Sequence, residues 1–204
     1  LDFDYMRLSA AVLDSHIQTH LNPDKLRITH LGGGACSLAR YCADVYPNSR
    51  NTVVELDAKL AEYVRDWFDI PKSPRVKIRV GDAGTVTRSF APASRDVVIR
   101  DVFAVDKTPA ELTSVDFVRE VDHSLAPGGL YILNCGDGPS LDGARAEVAA
   151  LFEVYEQVCL VADAAMLKGR RRGNIIIAAS HSPLPAAGSA EAAAISRTLM
   201  GGGV

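Results

Sequence analysis

Residues 26–34, LRITHLGGG, join a short apolar strand directly to a turn of three glycines. A second predicted strand, 51–55, ends in Glu55, at the spacing of about 20 residues that is typical of nucleotide-binding sheets. Gly32, Gly33 and Gly34 have no side chains, so the backbone can come close to a ligand, and a carboxylate at the neighbouring strand tip can accept both ribose hydroxyls. This pattern predicts a nucleoside site. Glycine-rich turns also occur for packing reasons alone, so the prediction depends on the surrounding sequence.

A third predicted strand, 76–80, runs into Gly81, Asp82 and Ala83. In a doubly wound sheet, the carboxyl ends of parallel strands face one crevice, so Asp82 and Ala83 are expected beside the adenine while Glu55 holds the ribose. The alternative for each acid is a solvated loop position or a helix cap. Asp57 in particular is typical of the N-cap of the helix that follows it.

Dinucleotide binding is the main alternative to a simple nucleoside. Its fingerprint also begins at the first strand-to-helix turn, but its third glycine would fall at Ser37. The absence of that glycine disfavours a closely bound pyrophosphate. The pattern therefore favours a nucleoside without phosphates. S-adenosylmethionine is the commonest cofactor of this kind.

The predicted helices and strands alternate along the chain, which indicates an α/β fold with a doubly wound, mostly parallel sheet of seven strands. The last two strands follow each other closely, with only a Lys/Arg/Gly turn between them, and are expected to pair as an antiparallel hairpin, as in Rossmann sheets of the methyltransferase type. The predicted helices are 4–20, 36–46, 57–69, 110–125 and 140–151, and the strands are 26–31, 51–55, 76–80, 95–100, 129–134, 154–162 and 173–180.

The 204 residues, 48% of them hydrophobic, suffice for one domain with a full sheet core. We assign that domain to residues 1–182. From Pro183 the composition turns to Ala, Gly and Ser, which predicts a flexible tail, 183–204, that contributes little to the core.

Composition disfavours several classes of protein. A net charge of −3 leaves no electrostatic footprint for nucleic acid. No apolar run approaches the roughly 20 residues of a membrane helix, and no secretory signal is visible. The four cysteines form no CxxC pair and the five histidines lack ligand spacing, so we expect reduced thiols, a cytoplasmic location and no metal.

Six short motifs, in order, resemble the motif series of the spermidine synthases, the polyamine aminopropyltransferases, over roughly residues 1–180. They are LDFDY (1–5), the strand ending in Gly32–Gly34, VELD (54–57), GDA (81–83), VIRD (98–101) and PAEL (109–112). The resemblance implies decarboxylated S-adenosylmethionine, or its product methylthioadenosine, as ligand, with Glu55 on the ribose and Asp82 near the adenine. It also implies a small-molecule amine acceptor, Tyr5 as a substrate-binding residue, and a homodimer.

Asp101, at the tip of the fourth strand, is the candidate catalytic residue. In the reaction that the resemblance implies, an amine attacks the carbon beside a sulfonium and must first lose a proton. Deprotonating an alkylammonium with a pKa near 10 costs about 4 kcal/mol at neutral pH, and a carboxylate near pKa 4 is a weak base for that step. We therefore expect Asp101 to orient the amine and stabilise its charge while the proton passes to water. The alternative is that Asp101 caps a loop.

The chain also departs from the family pattern. Ala35 and Ala104 occupy positions where the family has acids, and Tyr5–Arg7 replaces an aromatic-His-Glu segment. Because burying an unpaired ammonium is costly, these changes argue against the dication putrescine as acceptor, unless Asp106 and Glu111 replace the missing acids. Two alternatives follow: a methyltransferase that uses intact S-adenosylmethionine, and a nucleoside-binding homologue without catalysis.

Overall fold

The computed structural model of the protein describes residues 1–105 and 107–200. Within them, helices and strands alternate as the sequence predicts, with two 3-10 turns at Pro23–Lys25 and Ala110–Thr113. The helices are α1 (Asp4–His20), α2 (Ser37–Val45), α3 (Ala58–Trp67), α4 (Ala83–Arg88), α5 (Val115–Ser124), α6 (Asp142–Phe152), α7 (Ala164–Leu167) and α8 (Ala190–Met200). The strands are β1 (Arg27–Leu31), β2 (Arg50–Glu55), β3 (Val76–Val80), β4 (Arg95–Arg100), β5 (Leu125–Asp137), β6 (Gln157–Val161) and β7 (Gly173–Ser180).

The seven strands form one sheet in the order β3-β2-β1-β4-β5-β7-β6. The first five in this order are parallel, and β7 runs antiparallel to both β5 and β6. The predicted fold, a mostly parallel sheet with an antiparallel C-terminal hairpin, is therefore confirmed. The chain moves outward from β1 in both directions, so the carboxyl end of β1 lies at the switch point where α/β sheets bind ligands.

Helices cover both faces of this sheet. Successive residues of β4 show the division, since Val98 packs into a core with α4, α5 and α6, whereas Val97 and Ile99 pack into a second core with α1 and α2. A smaller third cluster joins α2 and α3 to β2 and β3. Successive side chains of a strand point to opposite faces of the sheet, so both sets are buried when helices cover both faces.

Local structure differs from the predicted elements in three places. The predicted helix 110–125 is divided, because Ser114 ends the 3-10 turn and its hydroxyl caps α5 by accepting from Phe117 N at 3.2 Å. Two short helices, α4 and α7, were not predicted, and α7 lies where the sequence predicted only a turn between β6 and β7. Both are too short to show helical periodicity, and each begins at an aspartate cap.

The expectation that residues 183–204 add little to the core is wrong at α8. Ile195 of this helix is 4% exposed and belongs to the apolar cluster of α1. The segment before it is also held, because His20 Nε2 on α1 donates to Pro183 O at 3.0 Å. An Ala-rich helix can pack closely against its neighbours and need only one large apolar residue to reach the core. The composition of the segment does not reveal such a contact. The division at residue 182 stays a prediction, and residues 201–204 lie outside the described part of the chain.

Within the described residues, no helix combines the length and apolar character needed to cross a membrane. The thiols of Cys36, Cys42 and Cys135 are buried and that of Cys159 is half-buried, all four in the free form.

An ion pair is buried beneath the carboxyl end of β4. Arg100 is 0% exposed and donates to the carboxylate of Glu147 on α6 and to the carbonyl of Leu112. Glu147 is 4% exposed. The pair therefore ties α6 and the turn before α5 to the strand that carries Asp101.

Replacing one partner of this pair should be strongly destabilising, because the other charge would remain buried and uncompensated. We expect Glu147→Ala to lower the free energy of unfolding by about 3–5 kcal/mol in urea titrations. The control is Asp116→Ala, which breaks an exposed pair with Arg119 (3.0 Å) and should cost less than about 1 kcal/mol. Equal losses for the two variants would contradict the structural role of the buried pair.

Candidate functional site

The carboxyl end of β1 opens into a cavity of about 310 Å³ between the sheet, α1 and the start of α2. The predicted residues Tyr5, Gly32, Gly33, Gly34 and Asp101 all line it. The glycine turn, the candidate catalytic carboxylate and the candidate substrate residue therefore meet in one space, although they come from three separate parts of the chain.

Gly32 fixes the distance between the turn and Asp101. Its φ is +91°, and a Cβ at this position would lie 2.1 Å from the carbonyl oxygen of Asp101. Asp101 N also donates to Leu31 O at 2.8 Å. Any side chain at position 32 would thus push the tip of β4 away from β1, so glycine is required here for contact as well as for conformation.

The Asp101 side chain is held by an amide from β5, which is itself held by an amide from β7. Asn134 Nδ2 donates to Asp101 Oδ1 at 2.9 Å, and Asn174 Nδ2 donates to Asn134 Oδ1 at the same distance. Neither asparagine was predicted from the sequence. Asn134 is 4% exposed and comes directly after the apolar run 130–133, and a polar residue inside such a strand is the signal that would have found it.

The surroundings of Asp101 also change its acidity. Burial raises the pKa of the carboxyl, and the hydrogen bond from Asn134, with the nearby Tyr5 hydroxyl and Arg100 charge, opposes this rise only in part. Burial, together with the charge of Asp101, raises the pKa of the Tyr5 phenol, so Tyr5 remains protonated at neutral pH. Asp101 is therefore a fixed carboxylate of increased basicity facing the cavity.

Glu55 supports the glycine turn from the neighbouring strand. Its Oε2 accepts from Gly33 N at 3.0 Å and Gly34 N at 3.1 Å, and its Oε1 accepts from Asp57 N at 2.9 Å. A carboxylate has about four acceptor positions, so these bonds leave capacity for a ribose hydroxyl. Glu55 does not line the cavity, and its role toward the ribose stays a prediction.

Asp82 and Ala83 are also absent from the cavity wall. Asp82 is exposed and caps α4, since its Oδ1 accepts from Thr85 N at 2.7 Å, a bond that lowers the pKa of the carboxyl. Ala83 is 8% exposed and packs into the core. Contact with an adenine therefore remains a prediction for both. The expected capping role of Asp57 is confirmed, because its carboxylate accepts from Lys59 N and Leu60 N.

The positions that lack the family's acids differ in location. Ala35 lines the cavity, whereas Ala104 is exposed in the loop after β4, where its N–H donates to Lys107 O at 2.8 Å. Glu111 is exposed in the 3-10 turn. Asp106 lies outside the described residues.

No protein-family model matches the chain. The crystal structure of a probable spermidine synthase from Corynebacterium glutamicum has 58% sequence identity and a TM-score of 0.95, covering 100% of this chain and 73% of that one. The chain belongs to the spermidine synthase family. The family resemblance seen in the six motifs is thereby confirmed.

The chain is also similar to methyltransferases. The mouse eEF1A lysine and N-terminal methyltransferase is 32% identical over 141 residues, which is 64% of this chain but 20% of that protein. Human methyltransferase-like protein 13, solved in complex with SAH, has a TM-score of 0.74 and 25% identity over 97% of this chain and 93% of that one. The chain thus spans about a fifth of the length of the curated methyltransferases that it matches.

The nucleoside prediction is tested at Glu55. Glu55→Ala should weaken methylthioadenosine binding by about 1.5–3 kcal/mol, the usual scale for a hydrogen bond to a charged group, and Glu55→Gln should lose less because it retains an acceptor oxygen. Isothermal calorimetry is the measurement.

The control for this experiment is Asp57→Ala. It removes the cap of α3, at a stability cost of about 1 kcal/mol, but not the acceptor that holds the glycine turn. Its affinity should stay within about twofold of wild type. Unchanged affinity in a folded Glu55→Ala variant would show that the ribose is bound elsewhere.

Proposed function

We propose that the protein is a spermidine synthase-like transferase that binds decarboxylated S-adenosylmethionine, yields methylthioadenosine, and transfers an aminopropyl group to a small-molecule amine. The observation that carries the proposal is the position of Asp101. It is a half-buried carboxylate with raised pKa, held by Asn134, in the same cavity as the glycine turn. The family to which the chain belongs supports the same reading.

The transfer is a substitution at carbon. The lone pair of the acceptor nitrogen attacks the chain carbon bonded to the sulfonium, a carbon–nitrogen bond forms, and the carbon–sulfur bond breaks. Its electron pair stays on sulfur, which becomes the neutral thioether of methylthioadenosine. The nitrogen gives up a proton to water. Asp101 orients the amine and stabilises its positive charge while the proton passes to water.

The cavity does not suit a diamine that is charged at both ends. Among the described residues that line it, Asp101 is the only carboxylate, and Ala35 supplies no counter-charge. The amine of the decarboxylated cofactor already brings one charge to this cavity, so a further ammonium at the far end of a diamine would be buried without a counter-charge, which is unfavourable. We therefore propose an acceptor with a single amine near Asp101 rather than putrescine.

A homodimer and a cytoplasmic location remain predictions from the family and from the cysteine pattern.

A methyltransferase is the second candidate. The similarity to a methyltransferase solved with SAH supports it, as does Ala35, which does not repel the carboxylate of intact S-adenosylmethionine. Calorimetry with both forms of the cofactor separates the candidates. Tighter binding of the decarboxylated form supports aminopropyl transfer, tighter binding of the intact form supports methyl transfer, and binding without turnover of any amine supports a non-catalytic homologue.

Asp101→Asn tests the catalytic assignment. Because Asp101 acts on the nucleophile, the variant should bind the cofactor within a few-fold of wild type while any transfer rate falls by about 10²–10⁴. The matched control is Asp96→Asn at the opposite end of β4, where the carboxylate pairs with Arg27. A large loss of cofactor affinity with little change in rate would contradict the assignment to Asp101.

Restoring the missing acids tests the acceptor class. Ala35→Asp together with Ala104→Asp should raise putrescine turnover with the decarboxylated cofactor and weaken binding of intact S-adenosylmethionine, each contact being worth about 1.5–3 kcal/mol. Ala35→Asp alone should give most of the effect, because Ala35 lines the cavity whereas Ala104 is in an exposed loop. Ala35→Asn is the neutral control. Wild-type turnover of putrescine at about 1 s⁻¹ or faster would contradict the proposal.

A further inference from the structure

His30 occupies the floor of the cavity. It lies on β1 opposite Val53 of β2 and Ile99 of β4, and all three residues line the space below the glycine turn. Val53 and Ile99 are apolar, so this row of the sheet is interrupted by one imidazole, which is 4% exposed. A buried polar side chain requires hydrogen-bond partners, and the partners of His30 determine what it can offer a ligand.

The tautomer of His30 is fixed by Asn51. Asn51 Nδ2 donates to Ser49 Oγ at 2.9 Å and to Arg75 O at 3.0 Å. A carbonyl only accepts, so the amide nitrogen must face Arg75 and the amide oxygen must face His30. His30 Nε2 lies 3.0 Å from that oxygen and therefore carries the ring hydrogen. Nδ1 is left with a lone pair.

That lone pair has no partner among the described residues, and His30 lines the cavity. Burial lowers the pKa of the imidazole to about 4, so the ring is neutral at physiological pH. The cavity floor thus presents one uncharged hydrogen-bond acceptor of fixed position.

We infer that His30 Nδ1 accepts a hydrogen bond from the amino group on the carbon chain attached to the cofactor's sulfur. This inference rests on the proposed function. In the proposed function Glu55 and Asp82 bind the ribose and the adenine. Neither residue lines the cavity, so the carbon chain on the sulfur is the part of the cofactor that would extend over the glycine turn into it. The amino group supplies the N–H donors of that chain, because its carbons and the sulfur have none to offer.

This arrangement gives the two acceptors of the cavity different tasks. Asp101 faces the attacking amine, whose charge changes during the reaction, and a carboxylate suits that role. His30 holds an amine that does not react, and a neutral acceptor provides position without adding a second negative charge beside Asp101. His30 also offers the amine a hydrogen bond, which the Ala35 methyl group in the same cavity does not.

Calorimetry with decarboxylated S-adenosylmethionine and methylthioadenosine tests the inference, since only the first ligand carries the amine. His30→Phe should lower the affinity for decarboxylated S-adenosylmethionine about 10- to 100-fold, as expected for the loss of a hydrogen bond to a charged group. The affinity for methylthioadenosine should change by less than about threefold. The shape control is Ile99→Leu, which alters the same floor and should affect both ligands equally. Equal losses for both ligands in His30→Phe would overturn the inference.

Nitrogen-15 NMR of the wild-type histidines provides a measurement that does not depend on a variant folding. The Nδ1 signal of His30 should move upfield when decarboxylated S-adenosylmethionine is added and stay in place with methylthioadenosine. No difference between the ligands would overturn the role of His30 and leave the proposed function intact. Failure of the wild type to bind either ligand would overturn both.

Discussion

The close contact between Gly32 and the backbone of Asp101 is the constraint on which the site depends. Parallel pairing of β1 with β4 brings the two strand ends together, and the Asp101 N–H donates to Leu31 O. The carbonyl of Asp101 then occupies the space where any side chain at position 32 would be. One residue type thereby sets both the path of the turn and the position of the carboxylate relative to it.

Charge is distributed unequally across the sheet near this contact. Arg100 points into one core, where Glu147 neutralises it, and the next residue, Asp101, points to the opposite face, where the Asn134 amide holds its carboxylate. Alternation along a strand separates these two environments by a single residue. The Arg100–Glu147 pair holds the strand end, while Asp101, which has no ion-pair partner among the described residues, keeps the capacity to bind a cationic group.

Much of the fold could be predicted from local patterns. The glycine turn, the spacing to Glu55 and the alternation of elements indicated the sheet and its hairpin, and the strand-tip position of Asp101 placed it at the crevice. The short helices α4 and α7 and the core contact of Ile195 were not predictable in this way. The two helices are too short to show a helical repeat of apolar residues. The contact of Ile195 depends on a single side chain that meets α1, which is distant in sequence.

The sequence by itself therefore determined the fold class, the C-terminal hairpin and the glycine turn, because these follow from local periodicity and from the conformational freedom of glycine. Only the tertiary structure decided how the polar groups are used. It assigned Glu55 to the backbone of the turn, Asp82 to a helix cap, and Asn134 and Asn174 to Asp101. Hydrogen-bond partners and burial depend on strands that are distant in sequence, and the protonation of His30 is fixed in the same way, by an asparagine on the adjacent strand.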